Sequence, residues 1–596
     1  MIALWLRTPE VLRWWGEPEE QLALVAGDLG EPRMRQWIVE HRGRAFAYAQ
    51  AYPINAWPQP HLVDLHAGTV AVDTFIGVPE MIGRGHGGAF LRMLAELLIA
   101  EGATAVAVDP DVANGRARDA YARAGFVAQG ERKTAGGLVV VMLFRRDASQ
   151  GGVLKEAAKG VRMPDAHPAN IDIDAALHEA EERYATGNPK SLAQYEAACA
   201  ALPGGNTRSA IYAEPFPLTM VKGEGAHLWD ADGHEYADFL SEFTAGLYGH
   251  SHPAIRKAID AALDGGINFG AHGMAEAKFA AAICDRFPSV ELVRFTNSGT
   301  EANLMAVSAA IGITGKKKIL VFHGGYHGGV FYFRGKGSPI NAPFDYLMGT
   351  YNDIEAVRAL VAPHRGDLAA ILIEPMLGGS GCIPATREFL ADLRALASET
   401  GAILIFDEVM TSRLAPGGLQ ELHGIRPDMT TLGKYVGGGM SFGAFGGRSD
   451  LMEWFDPRNK QGFQHAGTFN NNVLTMNAGL AGLTEVYTPA AAKKLNDWGD
   501  RLRERLNAVA REKGLAMQFT GIGSMIAVHM RGGAIENAAD AAKGHAGLLE
   551  LFYFDLTARG IWFAKRGMMA LSIVLDDNDA DQLGGAVEEF AETRFP

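Results

Sequence analysis

Short apolar runs that alternate with helix-like stretches constrain the fold of this chain more than any other feature. The runs at 318–322, 369–373 and 402–406 consist mainly of Ile, Leu, Val, Ala and Phe. Strands of this composition are typical of parallel sheets, because helices cover both faces of such a sheet. From about residue 171 to residue 596, the sequence therefore predicts an α/β unit built on a largely parallel sheet.

A second folding unit is predicted at residues 1–147. Strand and helix patterns continue there up to the apolar run 139–144 and the charged residues 145–147. The segment 148–170 combines small residues and prolines with little apolar content, which is typical of a linker between separately packed units. A chain of 596 residues with 48% hydrophobic residues is long and apolar enough for two cores.

Charge and cysteine content exclude several classes of partner. The 55 Lys and Arg residues and 69 Asp and Glu residues give a net charge of −14, and the sequence has no long basic runs. Both features argue against binding to nucleic acid or to anionic membranes. The three cysteines (Cys199, Cys284 and Cys382) are too far apart for a disulfide framework or a zinc motif. The sequence shows neither a signal peptide pattern nor about 18 consecutive apolar residues. We expect a soluble cytoplasmic protein without a metal site, whose partners are small molecules or protein.

A polar, glycine-containing turn at 295–303 precedes a helical pattern that continues from Leu304. A helix that begins there directs free backbone N–H groups, and the hydroxyls of Ser298 and Thr300, towards an anion such as phosphate. An ordinary capped helix has the same local sequence, so this segment by itself leaves both interpretations open.

Two further residues extend the anion-binding interpretation. Asp407 follows the run 402–406, at the carboxyl end of a predicted parallel strand, where it could pair with a protonated ring nitrogen or simply face water. Lys434 has glycines on both sides, so it could occupy a tight pocket that lowers its pKa and allows the neutral amine to attack a carbonyl carbon. A surface lysine in a glycine loop is the alternative. In this order, an anion cradle, a carboxylate and an amine meet the requirements of pyridoxal phosphate chemistry.

These residues identify 171–596 as similar to the class III aminotransferases of fold type I. The shared motifs are 297–302, 325–328, 374–375, 406–409 and 433–434. Within that class the chain resembles the glutamate-1-semialdehyde aminomutase branch and, more closely, the β-phenylalanine aminotransferase group. The segments that carry the closer resemblance are 203–209, 244–250, 408–416 and 467–472. The resemblance implies a large domain with a mainly parallel seven-stranded sheet and a small α+β domain.

The resemblance also implies the roles of the site residues. Lys434 would hold the cofactor aldehyde and move a proton, and Asp407 would keep the pyridine nitrogen protonated. Tyr326 would stack on the ring, and Thr468 would reach the phosphate from a neighbouring subunit, so the active site would be shared in a homodimer. The implied cofactor-binding residues are Ser298, Gly299, Thr300, Tyr326, Glu374, Asp407, Val409, Lys434 and Thr468.

Two arginines, Arg208 and Arg566, are the candidates for substrate binding by resemblance. The planar guanidinium pairs bidentately with a carboxylate, and both the amino donor and the acceptor 2-oxoglutarate carry one. In a β-amino acid the carboxylate lies one carbon further from the amine than in an α-amino acid. The predicted donor, a β-amino acid of the 3-amino-3-arylpropanoate type, rests on the resemblance and not on a derived distance.

The N-terminal unit contains a strand pattern at 70–75, a glycine-rich turn at 81–89 and then an amphipathic helix. Such a turn is weak evidence by itself, because dinucleotide-binding folds use similar ones. Together with 109–126, however, it resembles the GNAT acetyltransferases, and within them the aminoglycoside 6′-acetyltransferases. The residues that would bind acetyl-CoA are Arg84, Gly85, Gly87, Gly88, Ala89 and Asn114. Asp73 would deprotonate the acceptor amine, and Tyr121 would protonate the departing thiolate.

Two alternatives stay open at this point. Relatives of the GNAT type place a strand ahead of the Trp14 segment, where this chain has only thirteen residues, so the unit is predicted to lack its first strand or to begin upstream. It could accordingly be a non-catalytic binding module and not an acetyltransferase in a bifunctional enzyme. The C-terminal unit could be an aminomutase of the semialdehyde type, which needs no keto acid acceptor.

Overall fold

The computed structural model describes residues 1–28, 31, 33–41, 44–57, 59–62, 65, 66, 68–82, 86–100, 103–134, 137–145 and 172–595, apart from the side chains of Ala89 and Ala100. The chain divides into two compact units, Met1–Gly160 and Val161–Pro596. The predicted linker, 148–170, lies outside the described residues.

The first unit is a six-stranded sheet with helices. Its strands are β1 (Arg35–His41), β2 (Arg44–Pro53), β3 (Thr69–Ile76), β4 (Ala105–Val108), β5 (Val127–Thr134) and β6 (Gly137–Phe144), in the order β1-β2-β3-β4-β6-β5. Its helices are α1 (Ile2–Trp5), α2 (Pro9–Trp15), α3 (Pro18–Gly27), α4 (His86–Ala100) and α5 (Gly115–Arg123). Only β3 and β4 pair in parallel, through Thr69–Ala71, so the second half of β3 is unpaired on that side.

The core of the first unit follows the amphipathic pattern of α4. Leu91, Leu94, Ala95 and Leu98 recur at helical spacing and pack with Val106 in one hydrophobic cluster. Residues 1–15 contain the helices α1 and α2 and no strand, and Trp14 lies within α2. Their buried residues Trp5, Leu6 and Val11 pack with Phe46 and Phe75.

The second unit contains the predicted sheet. Its strands are β7 (Met220–Glu224), β8 (His227–Asp230), β9 (Glu235–Asp238), β10 (Leu292–Thr296), β11 (Lys318–Phe322), β12 (Asp345–Gly349), β13 (Leu368–Ile373), β14 (Met376–Leu377), β15 (Ile383–Pro384), β16 (Ile403–Asp407), β17 (Met429–Gly433), β18 (Gly443–Gly447), β19 (Gln518–Ile522), β20 (Met525–His529), β21 (Ile561–Trp562) and β22 (Met568–Ala570). The large sheet has the order β10-β18-β17-β16-β13-β11-β12. Its strands pair in parallel from β12 to β17, and β18 is antiparallel to both of its neighbours.

Helices cover both faces of the large sheet. The α-helices of the second unit, some of which cover this sheet, are α6 (Ile173–Gly187), α7 (Pro189–Cys199), α8 (Pro253–Gly265), α9 (Met274–Arg286), α10 (Gly299–Thr314), α11 (Ile354–Val361), α12 (Arg387–Thr400), α13 (Gly418–His423), α14 (Ser449–Met452), α15 (Val473–Ala481), α16 (Pro489–Glu512), α17 (Ala538–Ala541), α18 (Ala546–Ala558) and α19 (Asp577–Arg594). Smaller sheets (β7-β8-β9-β21, β19-β20-β22 and β14-β15) account for the remaining strands. The expected fold, a mainly parallel seven-stranded sheet with a smaller α+β part, is confirmed.

The alternation of side chains along β16 sets the direction of the side chain at the end of the strand. Leu404 and Phe406 belong to the hydrophobic cluster that includes α12, whereas Ile403 and Ile405 belong to the cluster that includes α10. Successive side chains of a strand point to opposite faces, so the next residue, Asp407, points to the α10 side. The strand pattern thus brings a carboxylate against a particular helix at the carboxyl edge of the sheet.

None of the helices in the described part of the chain is both long and apolar enough to cross a membrane. Within the same residues, no three His, Cys, Asp or Glu side chains form a group that could hold a metal ion.

Candidate active site

The N-terminus of α10 forms an anion cradle. Ser298 caps this 16-residue helix, its Oγ accepting a hydrogen bond from the Glu301 N–H at 3.2 Å. The N–H groups of Gly299 and Thr300 lie in the first turn, where no carbonyl of the same helix can accept from them. Thr300 Oγ1 accepts from the Gly329 N–H at 3.2 Å, so the hydroxyl proton of Thr300 is available to an anion. The helix dipole favours negative charge at this end.

Two glycines allow the cradle, the end of β16 and the lysine segment to approach one another. A Cβ on Gly299 would lie 2.8 Å from Cγ2 of Val409, and a Cβ on Gly433 would lie 3.1 Å from Cγ1 of the same side chain. The valine methyl groups therefore contact both backbones. A larger residue at Gly299 would displace Val409 from the space between them.

Asp407 is held by three hydrogen-bond donors. Its Oδ1 accepts from the Val409 N–H at 3.0 Å, and its Oδ2 accepts from Asn303 Nδ2 at 2.9 Å and from His327 Nδ1 at 2.8 Å. The residue is 4% exposed, and no Lys or Arg of the described residues lies within 4.0 Å of its carboxylate. A buried carboxylate that is fixed in this way is suited to pair with a protonated ring nitrogen.

Lys434 follows β17 directly and has a left-handed backbone, with φ of +53°. Burial lowers the pKa of its amine to about 8, and the positive charges of Arg566 and Arg208 act in the same direction. The negative charges of Glu242 and Asp407 oppose this shift. Near neutral pH, a larger fraction of this amine is therefore uncharged and nucleophilic than for an exposed lysine.

Glu374, which follows β13, positions the segment that carries Tyr326. Its Oε1 accepts from the Tyr326 N–H at 2.9 Å and its Oε2 from the Gly378 N–H at 3.1 Å. Burial raises the pKa of the Glu374 carboxyl to about 7. The Tyr326 side chain is 40% exposed, and its ring meets Tyr332 edge-on with centroids 6.0 Å apart. One face of Tyr326 is thus open to a planar ligand.

Both candidate arginines lie beside an unusual turn. Ser241–Thr244 are four consecutive non-glycine residues with positive φ, between +45° and +82°. Arg208 Nη1 donates to Glu242 Oε1 at 2.6 Å, and the guanidiniums of Arg208 and Arg566 lie 5.8 Å and 4.9 Å from the Phe243 ring centroid. Left-handed residues of this type cost about 1–2 kcal/mol each, so the surrounding structure must hold the turn in place.

Arg566 differs from Arg208 in its partners. Its Nε is buried without a hydrogen-bond partner, and no acidic side chain of the described residues lies within 4.0 Å of it. Burial lowers the pKa of its guanidinium to about 10. A half-buried cation without an acidic partner is stabilised by a bound anion.

Thr468 lies on an exposed loop. Within that loop, Asn470 Oδ1 accepts from Asn297 Nδ2 at 2.9 Å, which connects the loop to the turn before α10. The contribution of Thr468 to a neighbouring subunit stays a prediction.

Several residues of the site were not assigned from the sequence. Asn303 and His327 hold Asp407, Glu242 pairs with Arg208, and the positive charge of Arg334 contributes to the lowered pKa of Arg566. His327 lies within the motif 325–328, which is a signal that could have identified it. Asn303 lies in the polar turn 295–303, whereas Glu242 and Arg334 have no local sequence pattern that marks them.

In the first unit, a cavity of about 790 Å³ lies beside the second half of β3. Thr74 of β3, Gly87 and Gly88 of α4, and Asn114 and Tyr121 at α5 line it. Arg84 and Gly85 lie outside the described residues, as does the side chain of Ala89. Asn114 caps α5, its Oδ1 accepting from the Ala117 N–H at 3.1 Å. Two helix N-termini thus face one cavity.

Asp73 does not line this cavity, but Tyr121 does. Asp73 accepts a hydrogen bond from Gln50 Nε2 at 2.9 Å, and burial raises its pKa to about 6, with a further contribution from the charge of Asp109. Burial also raises the pKa of Tyr121, which keeps its phenol protonated. Asp109, which pairs with His61 at 2.7 Å, was not assigned from the sequence.

Comparisons with known proteins identify the families of the two units. Residues 209–583 match the family model "Aminotransferase class-III", and residues 1–134 match "Acetyltransferase (GNAT) domain". The chain is 53% identical over 418 residues to β-phenylalanine transaminase of Variovorax paradoxus, covering 70% of this chain and 96% of that protein. It is 39% identical over 393 residues to glutamate-1-semialdehyde 2,1-aminomutase of Sorangium cellulosum, covering 63% and 89%.

Solved structures give the same result for the second unit. The crystal structure of the β-phenylalanine aminotransferase from Variovorax paradoxus superposes with a TM-score of 0.70 at 52% identity, covering 71% of this chain and 98% of that one. An ω-transaminase from Sphaerobacter thermophilus has a TM-score of 0.64 at 34% identity, covering 67% and 97%. The chain therefore belongs to the class-III aminotransferases of fold type I and carries an N-terminal GNAT acetyltransferase domain.

Proposed function

We propose that the second unit transfers the amino group of a β-amino acid, of the 3-amino-3-arylpropanoate type, to 2-oxoglutarate with pyridoxal phosphate as cofactor. The observation that carries this proposal is the convergence of a lysine of lowered pKa, a fixed buried aspartate and a helix N-terminus around Val409. The relative from Variovorax paradoxus, named for β-phenylalanine, supports the choice of donor.

The residues fit the cofactor group by group. The N–H groups of Gly299 and Thr300, with the hydroxyls of Ser298 and Thr300, would bind the phosphate. Asp407 would face the ring nitrogen, and Val409 and Tyr326 would contact the two ring faces. When bound, pyridoxal phosphate supplies an electron sink for the substrate carbon.

The chain itself supplies proton transfer and orientation. Lys434 removes the proton from the carbon that bears the amine of the donor. In the half-reaction with the keto acid, it returns a proton to the corresponding carbon. Asp407 keeps the ring nitrogen protonated, because a buried carboxylate stabilises an adjacent positive charge. Asn303 and His327 hold Asp407 at the angle that this contact needs.

Arg566 is the better placed of the two arginines to receive a substrate carboxylate. Its Nε has no hydrogen-bond partner among the described residues, whereas Arg208 already pairs with Glu242 at 2.6 Å. Arg208 would bind a carboxylate only after its ion pair with Glu242 breaks. Whether that ion pair breaks would therefore depend on which substrate is bound. The Phe243 ring between them provides an apolar surface for the aryl group of the donor.

A homodimer is part of the proposal, because the loop of Thr468 is exposed. The neighbouring Phe469 is 57% exposed, and Phe269 and Met274 are 52% and 84% exposed. Apolar side chains of this size at the surface favour burial against a second copy. Thr468 would then complete the phosphate site of the partner subunit.

The proposal is tested by following the near-ultraviolet and blue absorbance of the full-length holoenzyme. Addition of 3-amino-3-phenylpropanoate should lower the band of the lysine-bound cofactor, and 2-oxoglutarate should then restore it. A band that ignores this amine but responds to others contradicts the choice of donor. Turnover of a semialdehyde substrate without added keto acid would support the aminomutase alternative instead.

For the first unit, we propose N-acetylation of an amine with acetyl-CoA. The cavity at the N-termini of α4 and α5 is also lined by Arg92, Arg116 and Arg123, which would bind the phosphates of the cofactor. Asp73 can accept a proton above about pH 6, and the protonated Tyr121 can donate one to the departing thiolate. The acceptor would be an amine used or produced by the second unit.

The replacement Asp73→Asn is expected to lower acetyl transfer about 10²-fold or more, because an amide cannot accept the proton of the acceptor amine. In the wild type, the rate should rise with pH through about 6, as Asp73 loses its proton, and this rise should be absent in the variant. Thiol release from acetyl-CoA with a panel of amines, including 3-amino-3-phenylpropanoate, measures both.

The exposed Asp119 on α5 provides the control, since Asp119→Asn removes the same charge from the same unit. It should leave the rate and its pH dependence unchanged. If the wild-type protein releases no thiol with any amine, the first unit is a binding module and not an acetyltransferase.

A further inference from the structure

We propose that Asp238 and His250 form a positioning pair, which holds the turn Ser241–Thr244 in place and thereby orients the side chains that are expected to contact the substrate. This inference rests on the proposed aminotransferase function and deepens it, because it names two residues that determine how tightly the substrate binds. Asp238 is the last residue of β9, and His250 lies 12 positions further along the chain, before α8.

The carboxylate of Asp238 caps the start of the turn. Its Oδ1 accepts hydrogen bonds from the N–H groups of Leu240 and Ser241, both at 2.9 Å. Asp238 is 4% exposed, so water does not compete for these contacts. The two N–H groups belong to the residues at which the chain enters its left-handed stretch. The carboxylate therefore fixes the direction in which the chain leaves β9.

His250 fixes the second oxygen of the same carboxylate. Its Nε2 donates to Asp238 Oδ2 at 3.0 Å, since an ionised carboxylate can only accept. The histidine backbone pairs with Gly225, donating to its oxygen at 2.9 Å and accepting from its N–H at 3.3 Å. A Cβ on Gly223 would lie 2.6 Å from Cγ of the imidazole, so the ring packs directly on that backbone. The imidazole thus gives Asp238 a fixed partner.

The turn carries two side chains that contact the candidate arginines. Glu242 pairs with Arg208 at 2.6 Å, and the Phe243 ring centroid lies 5.8 Å from the guanidinium of Arg208 and 4.9 Å from that of Arg566. Left-handed angles are unfavourable for residues with a Cβ, so this stretch needs contacts from outside to keep its shape. The hydrogen bonds at its start therefore restrain the positions of Glu242 and Phe243.

The histidine of the pair lies beside the candidate active site. His250 and Glu242 line one cavity of about 720 Å³, together with Gly438 and Gly439, which follow Lys434 closely. Both oxygens of the paired carboxylate already accept hydrogen bonds from the protein. The pair consequently acts on the substrate through the turn, as positioning residues and not as catalytic ones.

Amide hydrogen exchange of the full-length holoenzyme tests the restraint directly. In His250→Ala, peptides that cover 239–246 should exchange at least about threefold faster than in the wild type, because Asp238 loses the donor that orients it. Peptides that cover 403–407, in the large sheet, should exchange as in the wild type. His250→Gln should restore part of the protection, because the glutamine amide can donate to the same oxygen.

Steady-state kinetics tests the consequence for the substrate. His250→Ala and Asp238→Ala should each raise the KM for 3-amino-3-phenylpropanoate about tenfold and keep kcat within about threefold, because the substrate contacts shift while Lys434 and Asp407 stay in place. Asp238→Asn should have a smaller effect than Asp238→Ala, since it keeps an oxygen for the two N–H donors. A purely structural role would lower the amount of folded enzyme and leave KM unchanged.

His234→Ala is the matched control, because Asp230 and His234 form a similar pair at the opposite end of β9. Asp230 Oδ2 lies 2.9 Å from Nδ1 of His234, and its Oδ1 accepts from backbone N–H groups of the turn before β9. Loss of this histidine should leave both the exchange at 239–246 and the KM for the amine unchanged.

The inference is wrong if no folded variant of Asp238 or His250 exchanges faster than the wild type at 239–246. It is also wrong if the KM for the amine changes by less than about twofold in these variants, or as much in His234→Ala. If the alanine variants do not fold, Asp238→Asn and His250→Gln carry the same comparison. Failure of the proposed function is distinguishable, because the wild-type absorbance then ignores the β-amino acid, whereas hydrogen exchange is measured without turnover.

Discussion

The variant Lys434→Ala is expected to lose transamination by at least about 10³-fold, because alanine can neither bind the cofactor aldehyde nor move the proton of the substrate carbon. Burial lowers the pKa of the Lys434 amine to about 8, although the negative charges of Glu242 and Asp407 oppose this shift. The measurement is the single-turnover absorbance change of the protein with 3-amino-3-phenylpropanoate. A small added amine such as methylamine should restore part of the rate, since it replaces the missing proton acceptor.

Lys460→Ala serves as the control for this variant, because Lys460 is exposed and its loss should not alter the rate. Thermal unfolding of both variants verifies that they are folded. Retention of more than about a tenth of the wild-type rate in Lys434→Ala would contradict the assignment of this lysine.

A second large loss is expected for Asp407→Asn, about 10³-fold in kcat, because a neutral amide does not stabilise a protonated ring nitrogen. The amide also conflicts with its neighbours. Three donors, from Val409, Asn303 and His327, point at the two carboxylate oxygens, and at least one of them would face the new NH₂ group. Rapid-mixing absorbance with the β-amino acid measures the rate of the proton-transfer step.

The matched control for Asp407→Asn is Asp428→Asn. Asp428 is also buried, at 5% exposure, but it pairs with Arg394 at 2.7 Å and Arg448 at 2.8 Å and lies outside the candidate active site. Its replacement should lower the Tm while the rate per folded protein stays unchanged. A variant Asp407→Asn that is fully loaded with cofactor and keeps kcat within about tenfold would refute the proposed role.

Much of the fold could be predicted because its signal is local. The apolar runs at 318–322, 369–373 and 402–406 correspond to β11, β13 and β16, with ends that differ by one residue. The assignment of both units to their families is likewise confirmed. Side-chain alternation and helix caps depend on neighbours within a few residues, so they can be inferred from a short segment.

The candidate site was predictable only in part, because some of its residues come together only through contacts between distant parts of the chain. Lys434, Asp407 and Ser298 lie in motifs that mark them in the sequence. Glu242, in contrast, pairs with Arg208 across 34 positions and only because Ser241–Thr244 adopt left-handed backbone angles. No composition rule predicts four such residues in a row, because the energy that holds them comes from packing around the turn.

The sequence by itself determined the α/β class, the parallel strands and the family, and it predicted an amine, a carboxylate and a helix N-terminus as the parts of the candidate site. Only the tertiary structure decided which of the two candidate arginines lacks an acidic partner among the described residues, and that Asn303 and His327 hold Asp407. The physical reason is that charge pairing, desolvation and pKa depend on distances between residues that are far apart in the chain. Those distances exist only once the sheet and its connecting segments have packed.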